Sequence, residues 1–246
     1  LARCVEEILR LPQRPHCVIA TGDLVDFGRA GEYAHLRKLL APLPMPVYLI
    51  PGNHDERGAL REAFPDHAYL RQWLPFVQYA IEDWPLRIVA LDTLIPGEGS
   101  GELCAERLAW LDRTLAAQPA RPTLVIMHHP PFPTLIGHMD DQGLLRGSGG
   151  LAGIISRHAQ VERVLCGHIH RSIQVRFAGT LASTCPAPAH QVALDLAPDA
   201  KSAFRMEPPG FQLHAWKPGF GVISHTAFIG KFAGPFPFFE GGKLID

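Results

Sequence analysis

The sequence has no apolar run near the ~20 residues needed to cross a bilayer as a helix, so no membrane span is expected. It has no Cys-x-x-Cys pair. Its five cysteines (Cys4, Cys17, Cys104, Cys166, Cys185) are odd in number and scattered, which argues against a disulfide framework and fits a reducing, cytoplasmic compartment. Neither sign of charge dominates: 23 Lys and Arg stand against 24 Asp and Glu, a formal net charge of −1, so a basic nucleic-acid-binding face is not expected. There is no internal repeat and no low-complexity stretch. With 47% apolar and 19% charged residues the composition is that of a folded chain rather than a disordered one. At 246 residues it suits one large domain that buries about 70% or more of its unfolded surface without metal or disulfide support. What the chain has in excess is histidine, with 13 residues, and metal ligation is the leading explanation.

Periodicity predicts alternating strands and helices. Residues 1–11 carry Cys4, Val5, Ile8, Leu9 and Leu11 at helical spacing, and Pro12 ends them. Short apolar strands are predicted at 16–20, 47–50, 77–81, 87–91, 123–127 and 161–166. Helices are predicted at 31–40, 106–117 and 151–158, the second with Leu108, Leu111 and Leu115 on one face. This is the pattern of a layered α/β fold. After Arg171 strand-like runs at 173–177, 191–196 and 212–216 follow one another without helices, so an antiparallel block is expected to close the core.

Four of the predicted strands end in polar clusters of one chemical kind: Gly22-Asp23-Leu24-Val25-Asp26, Gly52-Asn53-His54-Asp55, His128-His129-Pro130-Pro131 and Gly167-His168-Ile169-His170. Ligands of α/β sheets sit beyond the carboxyl ends of strands, so the four clusters should meet in one crevice. Oxygen and imidazole donors without cysteine suit Mn, Fe, Zn or Co and disfavour a thiolate zinc site. The glycines belong where a strand turns sharply near a ligand. In His168-Ile169-His170 the period of two puts both imidazoles on one side and turns Ile169 away to pack.

The set GDxxD, GNHD, HHPP and GHxH resembles the calcineurin-like metallophosphoesterase superfamily. With Leu91-Asp92-Thr93 and the stretch through Ala189-His190-Gln191-Val192-Ala193-Leu194, it is similar over essentially the whole chain to the class III cyclic-nucleotide and glycerophosphodiester phosphodiesterases. The resemblance implies a four-layer α/β/β/α sandwich of two mixed β-sheets flanked by helices, with a catalytic domain at 1–225 and a tail at 226–246. It makes Asp23 the carboxylate bridging two metal ions, most readily Mn or Fe. Asn53, His128 and His168 would complete the second metal's shell, and His170 would belong to the first. His54 is then the non-ligand imidazole beside the leaving group. The first metal of such enzymes also takes an Asp-x-His motif from an opening strand. The chain starts with Leu1 on what reads as the following helix, so that strand is expected to precede residue 1. The implied reaction is hydrolysis of a small phosphodiester by a hydroxide shared between two metals about 3.5–4 Å apart.

Asp26 is read as holding its loop by hydrogen bonds and Asp55 as orienting His54. His129 is read as structural, and His190 stays open between a packed histidine and a site residue. His138 and Met139 lie in a loop that could reach substrate. Substrate choice is assigned to the segments 57–71 and 133–147. His16, His35, His67 and His158 read as surface or helix-face residues, and Cys104 and Cys185 as small apolar ones. The Phe-rich tail (Phe228, Phe232, Phe236, Phe238, Phe239) fits a homo-oligomer contact. Two rival readings are a broad phosphomonoesterase and a catalytically silent scaffold of the same fold.

Overall fold

The computed structural model describes residues 1–241, 243 and 244. In chain order the elements begin with α1 (Ala2–Arg10), β1 (Val18–Ala20), α2 (Ala30–Leu40), β2 (Val47–Leu49), α3 (Arg57–Ala63), a 3₁₀ turn (Ala68–Arg71), β3 (Tyr79–Ile81) and β4 (Arg87–Ala90). There follow β5 (Gly101–Glu102), α4 (Ala105–Ala116), β6 (Thr123–Met127), α5 (Gly137–Asp140), β7 (Leu144–Arg146), α6 (Ser148–Arg157) and β8 (Val161–Cys166). The rest is all strand: β9 (Ile173–Phe177), β10 (Thr180–Thr184), β11 (Gln191–Val192), β12 (Phe204–Arg205), β13 (Gly210–Lys217), β14 (Gly221–Phe228), β15 (Phe239–Glu240) and β16 (Lys243–Leu244).

Six strands make the central sheet in the order β3-β4-β6-β8-β10-β9. The inner four run parallel, and β3 and β9 close the edges antiparallel. All five residues of β6 are buried, as expected of a strand covered on both faces. Alternation then sorts side chains between two cores. Val89, Leu91, Val125, Met127, Val164 and Cys166 point to one face, against α4 and α6. Ile88, Ala90, Leu124, Ile126 and Leu165 point to the other, against the layer that includes β2, α1, α2 and α3. On α4 the fully buried Leu111 and Leu115 are one turn apart, each contributing about 2 kcal/mol or more. Leu108 packs beside them half-buried, and the third buried position is Arg107, whose guanidinium donates to the Asp92 and Leu94 carbonyls.

This is a helix–sheet–sheet–helix arrangement. Its second sheet layer is built from separate pairs, the parallel β1–β2 and the antiparallel hairpin β13–β14, rather than one continuous sheet. The hairpin docks on β8, where Arg163 Nη1 donates to Ser224 Oγ at 2.6 Å and Ser224 Oγ meets His214 Nδ1 at 2.7 Å. Of the strand-like run 191–196 only Gln191–Val192 pairs. The strand at 180–184, Thr-Leu-Ala-Ser-Thr, lacks an apolar run because it is a small-residue filler beside β8. Ile229 is the last core residue of the chain's end, and Phe232, Phe236, Phe238 and Phe239 beyond it are exposed. Residues 242, 245 and 246 of the tail lie outside the described residues.

Candidate metal centre

The loops after β1, β2, β6 and β8 bring Asp23, Asn53, His128 and His168 together. The backbone is bent hard to do this. Asp23, His168 and His170 all adopt positive φ (49°, 66° and 54°), a conformation costing on the order of 1–3 kcal/mol per residue that persists only where surroundings enforce it. Gly22 and Gly52 allow the approach. A Cβ on Gly52 would lie 2.7 Å from His128 Cε1, and one on Gly22 would lie 2.8 Å from the Gly52 nitrogen. Ile169 is fully buried among Ile136, Met139 and Val192, so the two flanking imidazoles of the His-x-His turn are braced from behind.

One hydrogen bond sets the chemistry. His128 Nδ1 lies 2.7 Å from the Thr21 carbonyl oxygen, which only accepts, so Nδ1 carries the proton. Nε2 faces the other ligands: Asn53 Oδ1 at 3.1 Å, His168 Nδ1 at 3.1 Å and Asp23 Oδ2 at 3.3 Å. Lone pairs from carboxylate, amide and imidazole therefore converge on one another. A second proton on Nε2, a proton donated by His168 Nδ1, or a cation standing among these donors satisfies the cluster. Burial opposes charge on His128, yet the Asp23 carboxylate outweighs it and holds the imidazole above its ordinary value. Burial also opposes ionisation of Asp23, but His128 beside it keeps that carboxyl well below the usual range. Burial, then His128, presses His168 down to about 3, and burial, then His190, lowers His170. Among the described residues, His168 Nε2 and His170 Nδ1 are buried with no partner. Unprotonated imidazoles beside a carboxylate fit a borderline divalent cation.

The ring nitrogens of His128, His129 and His168 also lie within 4.8 Å of one another, which by distance alone admits His129 as a ligand. Its bonding excludes it. Nε2 faces the Gly99 carbonyl at 3.1 Å and must donate, and Nδ1 then accepts from Thr93 Oγ1 at 2.7 Å, leaving no free lone pair. Thr93 thus holds His129 in a structural role. Its neighbour Asp92, with no exposed surface, receives a bidentate pair from Arg57 at 2.6 and 2.8 Å and the Val77 N–H at 2.8 Å.

His54 is exposed at the rim. Its backbone N–H donates to Asp23 Oδ1 at 3.1 Å, and its Nδ1 donates to the Asp26 carbonyl at 2.9 Å, leaving Nε2 toward solvent. Asp26 thus acts through its main chain. Asp55 does not orient His54: its Oδ2 accepts from Gly52 N–H (2.8 Å) and Leu24 N–H (3.1 Å), and its Oδ1 from the Tyr33 hydroxyl (2.8 Å). It ties the Asp23 and Asn53 loops together, while burial pushes its carboxyl up to about 6. The segments assigned to substrate choice are largely structural. Arg57 is committed to Asp92, and residues 57–63 and 68–71 form α3 and the 3₁₀ turn. In the second segment Asp140 accepts from Thr134 and Leu135, and Met139 backs Ile169 instead of facing the crevice. His190 packs at a tilt against His170, ring centroids 4.9 Å apart. Asp55, Thr21 and Arg57 are the residues whose roles local pattern did not reveal. Only Asp55 carried a signal, its place in the Asn-His-Asp cluster.

The sequence profile of the calcineurin-like phosphoesterases matches residues 1–172. The chain belongs to that family. This phosphoesterase is 41% identical over 247 residues to a probable glycerophosphodiester phosphodiesterase GpdQ from Arcobacter nitrofigilis, covering 100% of this chain and 90% of the relative. It is 34% identical over 181 residues to the 3′,5′-cyclic adenosine monophosphate phosphodiesterase CpdA of Escherichia coli K12, covering 70% of this chain and 64% of the relative. Among solved structures the phosphoesterase resembles a dimetal phosphatase from Danio rerio, with TM-score 0.62 at 15% identity over 93% of this chain and 89% of the other. It likewise resembles GAP50 of Plasmodium, with TM-score 0.62 at 11% identity over 100% and 82%. Those two likenesses establish the fold.

Proposed function

We propose that this phosphoesterase hydrolyses small phosphodiesters, 3′,5′-cyclic nucleotides or glycerophosphodiesters, at a dinuclear metal centre. Asp23 would be shared by the two ions, Asn53, His128 and His168 would hold one of them, and His170 would hold the other. The observation that carries the reading is the convergence of lone pairs on His128 Nε2, its tautomer set by the Thr21 carbonyl. The names of the 41% and 34% identical relatives support the diester class. Donor chemistry favours Mn or Fe, with Zn or Co also suited.

Bound there, metal ions would neutralise phosphate charge and make a water acidic enough to attack phosphorus near neutral pH. The protein's part is positional. Asn53 presents a neutral oxygen and Asp23 a charged one, so negative charge among these donors stays low where a phosphate must enter. His54, with Nδ1–H fixed on the Asp26 carbonyl, presents Nε2 to the rim, where in its imidazolium form it donates a proton to the departing alkoxide.

The test is release of p-nitrophenol from bis-p-nitrophenyl phosphate and from p-nitrophenyl phosphate, with and without Mn²⁺, by the wild type and Asn53→Ala. Mn²⁺-dependent release from the diester that Asn53→Ala abolishes is expected. Release mainly from the monoester would replace the reading with a phosphomonoesterase, and silence on both with fewer than two ions per chain would leave a scaffold.

The same reading places the protein in the cytoplasm, supported by five free cysteines. Among the described residues no helix is long and apolar enough to cross a membrane. We further propose a catalytic domain at 1–225 whose tail makes a homo-oligomer contact. Support comes from Phe228, Phe232, Phe236, Phe238 and Phe239, which are 56–79% exposed. Light scattering of the wild type and a variant with these phenylalanines replaced by serine tests the contact.

A further inference from the structure

The ribbon β11–β12 is short, yet it is fixed to the metal centre at three points. Val192 on β11 is buried against Ile136, Met139 and Ile169, and Ile169 is the residue between His168 and His170. Arg171, the next residue after His170, donates from Nη1 to the Val192 carbonyl at 2.7 Å and to Glu207 Oε2 at 2.8 Å, gripping the chain on both sides of the ribbon. Phe204 on β12 pairs directly with Val192.

The third point is a run of rings. His190 lies 4.9 Å from His170 by ring centroids at 59°, and Phe204 lies 4.8 Å from His190 at 53°. The run starts at a half-buried candidate ligand, His170, and ends in solvent, because Phe204 is 63% exposed. Leaving a phenyl ring in water forgoes much of its burial energy, and a single exposed phenylalanine needs no explanation. Phe204 differs from the exposed tail phenylalanines in its setting: its ring packs against His190 beside His170, and its backbone pairs with Val192, whose carbonyl accepts from Arg171.

A rigid aromatic face beside a phosphate-hydrolysing centre suits a flat π-system carried by the substrate. Stacking of a base on a protein aromatic is worth a substantial share of the affinity of weakly held nucleotides, and it tolerates any base. Glycerol offers no such face. We propose that Phe204 is the specificity platform of the site, stacking on the aromatic group of the diester and favouring nucleotide-type substrates over glycerol-type ones. The proposal rests on the reading of the centre given above.

Two arms separate the platform from the centre. In the first, calorimetry of the Mn²⁺-loaded protein measures AMP and glycerol 3-phosphate binding to the wild type, Phe204→Ala, Phe204→Trp and the hairpin-turn control Phe220→Ala. Phe204→Ala is expected to weaken AMP about five- to tenfold and to leave glycerol 3-phosphate within about twofold, while Phe204→Trp and Phe220→Ala keep AMP binding. In the second, saturation-transfer NMR follows adenosine, which has no phosphate for a metal. Its signal is expected from the wild type and lost in Phe204→Ala.

Equal loss of AMP and glycerol 3-phosphate, an unchanged AMP affinity, or an adenosine signal the same in both proteins would overturn the platform. So would a fall in oligomer mass of Phe204→Ala by light scattering, which would make Phe204 an interface residue. If glycerol 3-phosphate fails to bind the wild type while the adenosine contrast persists, the metal-centre reading fails and the platform stands.

Discussion

Asp55 is the strut between the two loops that supply Asp23 and Asn53, and its removal should cost both stability and metal affinity. The side chain is 7% exposed and accepts the N–H groups of Gly52 and Leu24 on one oxygen and the Tyr33 hydroxyl on the other. In Asp55→Ala the Gly52 N–H is left buried without a partner and the half-buried Leu24 N–H loses its acceptor. An orphaned donor costs about 1–3 kcal/mol, so the pair should destabilise the fold by roughly 3 kcal/mol. Tyr33 loses less, because its oxygen still accepts the Glu56 N–H and its proton can turn to the Glu56 carbonyl. Leu24 follows Asp23 and Gly52 precedes Asn53, so the same change loosens both oxygen donors, and Mn²⁺ affinity should fall about 10–100-fold. Asp55→Asn separates shape from charge. One amide oxygen has lone pairs for both N–H groups and the NH₂ can donate to Tyr33, so a loss of about 1 kcal/mol is expected. Urea unfolding followed by tryptophan fluorescence gives the stabilities, and calorimetric Mn²⁺ titration gives the affinities. Unfolding of Asp55→Ala within about 0.5 kcal/mol of the wild type, or an Asn variant as damaged as Ala, would refute the strut role.

Arg57→Ala leaves the fully buried Asp92 carboxylate without its cation and should cost about 3–5 kcal/mol, with Arg57→Lys recovering only part because one ammonium cannot span both oxygens. Thermal melts showing Lys equal to wild type would count against the bidentate argument. His129→Gln should keep the Mn²⁺ stoichiometry while His128→Gln lowers it, read by metal analysis after dialysis. The reverse ranking would make His129 the ligand. His214, half-buried on β13 and near Arg163, has its pKa lowered to about 4, first by burial and then by that cation. Its folded value lies below its unfolded one, so the neutral form's contribution is fully present above about pH 6.5 and is lost as pH falls toward 4. Stability should therefore drop across that window by on the order of 2 kcal/mol, and His214→Gln should flatten the slope. An unchanged slope in urea midpoints would assign the acid sensitivity elsewhere.

Much of this protein is determined locally. The strands 123–127 and 161–166 and the helices near 30–40 and 105–116 follow from apolar period and from prolines and glycines at their ends. Donor-bearing turns at the ends of β1, β2, β6 and β8 follow as well, since a parallel α/β arrangement collects strand ends on one side. Local pattern failed where an element is defined by its neighbour. Thr180–Thr184 becomes a strand only because β8 and β9 lie on either side of it. Side-chain roles were decided further away still. The proton on His128 Nδ1 is placed by the Thr21 carbonyl, 107 residues off, and Arg57 is withdrawn from the crevice by Asp92, 35 residues off. His129 is taken out of the donor set by Thr93 and Gly99, and Asp55 is turned from His54 to the backbone of two loops. Residue types and their order set which donors can meet. Which lone pair each one offers depends on hydrogen-bond partners that only the packed chain brings within 3 Å or so.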